Sequence, residues 1–169
     1  VSQVLWDEGG NYGLYQMASG GLIIAEGSLS EGDTPESSAS LKSGAKAWSV
    51  PANTQVAGVL DGATDGYQIV TVKGVGVKAT YSSLAVSSTG SVGKTTTLQL
   101  GQLLALESSA QVDLNGDGVT GDVITQVMLD DSTSGYGVYR MGSGGLVLAA
   151  SGLGTGGAAE NGKALTSGK

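Results

Sequence analysis

At 169 residues the chain is long enough for one domain, or one and a fraction, and for a real hydrophobic core. It has no Cys and no His, which removes disulfides, thiolate and imidazole catalysis, and ordinary zinc sites. With 15 acidic against 8 basic residues the net charge is −7, so neither nucleic acid nor an anionic membrane is an expected partner.

No apolar run approaches spanning length, so membrane insertion is not expected. The chain opens at Val1 with no leader-like segment, and reads as a mature product or a piece of something longer. Its 30 Gly and 2 Pro separate short runs rich in Val and Leu. That pattern predicts a mainly β fold with many tight connections.

The elements follow in chain order. "QVLWDE" from Gln3 is an apolar strand, "YGLYQMA" from Tyr12 an alternating one, and "LIIAEG" from Leu22 a third. Gly-Gly pairs between them supply positive φ cheaply and signal hairpins. "TQVAGVL", "YQIVTVKG" and "VGVKATYSSLAV" give further strands through the middle of the chain. "TTTLQLGQLLALESSA" breaks the pattern: Leu100, Leu103, Leu104 and Ala110 approach helical spacing, with threonines available as an N-cap. One short helix is predicted at about residues 95–110, leading into "DLNGDGVTGD" at 113–122.

After that loop the chain repeats its own opening. Tyr12, Gly13, Tyr15, Met17, Gly20, Gly21 and Leu22 recur as Tyr136, Gly137, Tyr139, Met141, Gly144, Gly145 and Leu146, an offset of about 124 residues. Residues 1–122 therefore form one full repeat unit, and 123–169 the first third of a second copy. A third of a unit, glycine-rich and without disulfides, can hardly hold a core alone. Two outcomes are expected: the copies at 3–45 and 126–169 pair within one chain as a pseudo-symmetric sandwich, or the second docks head-to-tail on another molecule through its open strands.

The loop carries the clearest chemistry. Asp113, Asn115 and Asp117 stand at alternate positions followed by Gly118, as in a calcium loop of the EF-hand type. Val119 would offer its carbonyl, and Asp122 is the nearest substitute for the usual terminal acid, because Ile124 occupies that place. Short carboxylate and amide side chains at such spacing converge on one hard cation, so the expected ion is Ca2+, in a structural role. The same residues also suit a turn without an ion, since Asn-Gly and Asp-Gly favour turns in their own right.

A helix ending in "LLALESSAQ", then "VDLNGDGVTGD", then "QVMLDD…YGVYRM…GG" resembles the tryptophan-rich repeat domain of large secreted RTX-type bacterial surface proteins. This chain has only Trp6 and Trp48, with Tyr15 and Tyr139 where that family often shows Trp. The resemblance implies extracellular display, calcium, tandem arrays and no known enzymatic activity.

Other motifs have plainer explanations. "SSTGSVGKTTT" approaches a phosphate-binding loop through Lys94 and Thr95, but Ser88 replaces its first glycine and β-α alternation is missing. A polar turn supplying the helix N-cap is expected there. "GLGTGG" at Gly152 loses three of its four glycines in the first copy, so it is a turn. Trp6, Tyr12, Tyr15, Tyr136 and Tyr139 would stack on sugars if coplanar and exposed, though aromatics on strands mostly pack. The scattered acids Glu26, Glu31, Asp33 and Glu36 suit a solvated surface; a hydrolase would need an acid pair in a cleft.

The expected protein is thus a sandwich-like repeat domain of antiparallel hairpins with one helix before a calcium loop. Its expected role is a non-enzymatic, secreted or cell-surface structural module of an adhesive or filament-forming protein, in contact with other copies of itself. A carbohydrate-binding module using surface aromatics, with surface glycans as partners, is the alternative.

Overall fold

The computed structural model describes residues 1–7, 12–62, 66–75, 78–116, 120–159 and 163–165. The fold is mainly β, with one helix among the described residues. It divides into two compact units, Val1–Leu98 and Gln99–Lys169. The period read from the sequence turns over near residue 122, so compactness and repetition divide the chain at different places.

The first unit holds two four-stranded antiparallel sheets. One is ordered β1 (Gln3–Trp6), β2 (Tyr12–Gln16), β3 (Leu22–Glu26) and β4 (Ser38–Ser40). A small hairpin of β5 (Lys42–Ser43) and β6 (Lys46–Ala47) follows. The second sheet is a meander of β7 (Thr54–Asp61), β8 (Gly66–Lys73), β9 (Thr80–Ser87) and β10 (Val92–Leu98).

Period-2 geometry sends Leu14, Leu22 and Ile24 to one face of the first sheet. There, with Leu41, they form a single core with Val59, Ile69, Leu84 and Val86 of the second sheet. Trp6, Tyr12, Trp48 and Tyr67 pack at its margin. The opposite face is also covered: Tyr15, Ile23 and Ala25 are buried with Val1, Met17 and Leu29 against them. Burial on both sides explains why "LIIA" is continuously apolar rather than alternating.

The second unit contains α1 (Leu100–Ala110) and a four-stranded sheet ordered β11 (Ile124–Asp131), β12 (Tyr136–Met141), β13 (Leu146–Ala150) and β14 (Lys163–Ala164). This sheet is the first one rebuilt. Tyr136 pairs with Ala150 as Tyr12 pairs with Glu26, and Leu148 pairs with Lys163 as Ile24 pairs with Ala39. The register irregularity between Val4 and Trp6 returns between Val127 and Leu129. The tight turn returns as well: Met17 N–H bonds the Gly21 carbonyl at 2.9 Å, and Met141 N–H bonds Gly145 at 2.9 Å. Gly20 and Gly144 take φ of 84° and 85°, a region closed to most side chains.

Each copy also lays a tyrosine over a glycine. A Cβ at Gly13 would collide with the Tyr15 ring, and one at Gly137 with the Tyr139 ring. Both rings are fully buried. The Tyr15 hydroxyl lies 2.7 Å from the Gly27 carbonyl and 2.9 Å from Asp7 Oδ2, and accepts the Leu29 N–H at 3.2 Å. The Tyr139 hydroxyl donates to the Ala150 carbonyl at 2.8 Å and accepts the Leu153 N–H at 3.4 Å. Each tyrosine thereby pins the loop after the third strand over the outer face of its sheet.

Two expectations change. The helix starts at Leu100, because the β-branched Thr95, Thr96 and Thr97 continue β10 instead. Its N-cap is Gln99 rather than a threonine, and the Gln102 side chain accepts the Gln99 N–H at 2.9 Å. In addition, the inner face of the first copy is filled by β7–β10.

Truncating Ile24 to Ala removes a fully buried side chain between two sheets and should cost about 2–5 kcal/mol. Leu148→Ala, at the duplicated but only half-buried position, should cost clearly less. Urea unfolding followed by residue-resolved hydrogen exchange separates the two. Burial raises the Tyr15 pKa above the ordinary tyrosine value, with the neighbouring Asp7 carboxylate adding to the effect. The neutral hydroxyl therefore stabilises the fold fully below the unfolded-state value of about 10, and this contribution is lost as pH rises through the folded value. Urea midpoints between about pH 9 and 12 should fall less steeply in Tyr15→Phe than in the parent.

Candidate metal centre

Helix α1 ends where Gln111 adopts a left-handed conformation, φ 57°, with its N–H on the Glu107 carbonyl. The chain then turns back along the helix, and the loop is organised by the Glu107 side chain. That carboxylate is fully buried. Its Oε1 accepts the N–H groups of Leu114 at 3.1 Å and Asn115 at 2.9 Å, and its Oε2 accepts the Gly121 N–H at 3.2 Å. A buried anion is tolerated only when donors converge on it, and here both ends of the loop supply them. Gly121 has φ 90°, and a Cβ there would stand 2.8 Å from Ser108 Cβ, so the close return to the helix requires glycine.

The expected ligands fall into three groups. Asp113 and Asn115 lie half-buried on the loop, and Asp113 Oδ1 accepts the Gly116 N–H at 2.7 Å, which tightens the turn. Asp117 and Val119, with Gly118 between them, lie outside the described residues. Asp122 points to the turn between β12 and β13: its Oδ1 accepts the Ser143 N–H at 2.9 Å and its Oδ2 the Ser143 hydroxyl at 2.7 Å. Among the described residues no three acidic side chains gather as a group able to hold a metal. Asp113 and Asn115 are the expected ligands that the described part of the loop contains. Asp122 braces the loop against the sheet.

Sequence reasoning missed Glu107. A signal was present: Glu107 follows Leu103 by four residues and Leu104 by three, which puts it on the buried face of the helix. It also stands in the last turn, where helix carbonyls disfavour an acid unless something else holds it.

The aromatic candidates separate clearly. Tyr15 and Tyr139 are buried, and Trp6 packs against the core. Tyr12 meets Tyr67 edge-to-face at 5.0 Å and 75°. Tyr136 alone of the five is exposed, at 58%. Lys94 and Thr95 lie on β10, so the phosphate-loop resemblance falls on a strand, and the turn before it joins β9 to β10 rather than capping the helix. The "GLGTGG" stretch is a turn whose Gly156 N–H bonds the Ile124 carbonyl at 2.8 Å. Glu26, Glu31, Asp33 and Glu36 are exposed.

Replacing Glu107 by Gln substitutes a donor for one of two acceptor oxygens that hold three backbone N–H groups. A loss of about 2–4 kcal/mol is expected from unmet buried donors and a weakened charge-assisted set. The loss should persist in chelator, because the bonds need no metal; thermal melts of both proteins with and without chelator check this. No family model, curated protein or solved structure matches this chain.

Proposed function

We propose that the chain is a non-enzymatic structural module of a repetitive extracellular protein, adhesive or filament-forming, that is stabilised by calcium and associates with further copies of itself. The observation that carries this is the duplicated sheet. The same strand order, bulge, glycine turn and tyrosine latch are built twice, with the helix and acidic loop between them. Duplication of a scaffold, rather than of a cleft with converging acids or bases, is what an array needs. The resemblance of the "DLNGDG" segment to secreted surface repeats supports the location and the ion.

Within such a module, Asp113 and Asn115 would hold the ion, together with Asp117 and the Val119 carbonyl. Bound calcium would offset the repulsion between these acids and stiffen the loop that enters β11. Glu107 and Asp122 hold the two ends of that loop in place from the helix and from Ser143. A carbohydrate-binding role is the second possibility, and Tyr136 is the aromatic left on the surface to serve it.

At calcium about 100-fold above its dissociation constant the native state should gain about 2.7 kcal/mol. Melting temperatures in calcium and in chelator should then differ by several degrees, and Asp113→Ala should lose that difference, melting alike in both buffers and no higher than the chelated parent. Identical melts for the parent in the two buffers overturn the calcium assignment.

A further inference from the structure

The two copies of the sheet differ in what covers their inner faces. In the first copy, Trp6, Tyr12, Leu14, Leu22, Ile24 and Leu41 belong to the core shared with β7–β10. Their counterparts in the second copy are Leu129, Tyr136, Val138, Leu146, Leu148 and Leu165. All six are apolar or aromatic, yet none is buried: Leu129 is 59% exposed, Tyr136 58% and Leu165 47%, where Leu41 is 1%. The hydrogen bond that sets Leu41 over the core, its N–H to the Leu22 carbonyl, is kept as Leu165 to Leu146 at 2.8 Å. The backbone therefore presents this face in the same shape in both copies, and an apolar face of this extent marks an interaction surface.

We infer that the exposed face of β11–β14 is a docking face for a second sheet of the β7–β10 kind. This is a four-stranded antiparallel meander whose inner row corresponds to Val59, Ile69, Leu84 and Val86. The first unit shows the match directly, since that meander covers the same face there and places Tyr67 edge-on to Tyr12, the counterpart of Tyr136. A face-to-face contact between two β11–β14 sheets would lack that register. The first sheet of another copy is no candidate either, because both its faces are already covered. The inference rests on the proposed role in a repetitive array and names what each unit receives from the next.

The 124-residue offset makes Lys169 the counterpart of Ala45, so a second copy of residues 46–98 joined directly after Lys169 continues the period in step. The test compares the full chain with this extended chain by hydrogen exchange, by nitration of Tyr136 and by sedimentation. The extended protein is expected to remain monomeric and to protect its appended segment. Amides of β12 and β13 should exchange at least about ten-fold more slowly, and Tyr136 should resist nitration. Ile69→Asp placed only in the appended segment should abolish these gains while residues 1–169 keep their fold. An appended segment that stays unprotected, with Tyr136 as reactive as before, overturns the inference. If the unextended chain instead dimerises at micromolar concentration and shields Tyr136, the occupant is a second β11–β14 sheet. That result overturns the inference and leaves the structural role standing; identical melts with and without calcium would bear on that role alone.

Discussion

A four-stranded sheet that is apolar on both faces must be covered twice, and much of this molecule follows from that requirement. Leu14 and Ile24 lie on one side of the first sheet, Tyr15 and Ile23 on the other, and all four are buried. One side is closed locally. The tyrosine crosses a glycine, reaches the loop after β3 and pins Leu29 down with its hydroxyl. This cover costs little loop-closure entropy, because the residues joined lie 12 and 14 apart in the chain. The other side needs a partner of its own size, and here the β7–β10 sheet provides it.

The second unit meets the local half of the requirement in the same way, through Tyr139, Ala150 and Leu153. It adds an anchor of a different kind. A carboxylate in the last turn of α1 collects N–H groups from both ends of the acidic loop, and Asp122 then ties the loop's exit to Ser143. These are charge-assisted bonds in buried or half-buried surroundings, each stronger than a surface ion pair. They fix where β11 begins, and hence the register of the sheet that follows.

The fold class was legible in the sequence because glycine turns and apolar runs recur, and because duplication confirmed the strand boundaries twice over. What depended on contacts distant in sequence was not legible. Thr95, Thr96 and Thr97 suit a helix N-terminus or a strand, and pairing with β9 decided for the strand. Asp122 has the spacing of a ligand, yet its oxygens meet a serine 21 residues later. Glu107 looked like one polar residue in a helix, although its spacing from Leu103 and Leu104 placed it inward. Tyr15 and Tyr139 were expected to pack, but the glycine two residues before each, over which the ring lies, was not read as part of that packing.

Both faces of the duplicated sheet keep some residues and exchange others, and what is kept reflects what each contact demands. On the latched face Gly13, Tyr15 and Met17 return unchanged as Gly137, Tyr139 and Met141. A ring lying over a backbone with no Cβ admits no other pair of side chains, because any Cβ at the glycine would meet the ring. On the inner face Trp6 becomes Leu129, Leu14 becomes Val138 and Ile24 becomes Leu148, while Tyr12, Leu22 and Leu41 return as Tyr136, Leu146 and Leu165. Packing between sheets tolerates such exchanges when total volume and apolar pattern are kept, since neighbouring side chains can repack. Local geometry thus accounts for the glycine and tyrosine kept on the latched face, and packing against a second sheet accounts for the apolar inner face of the first copy.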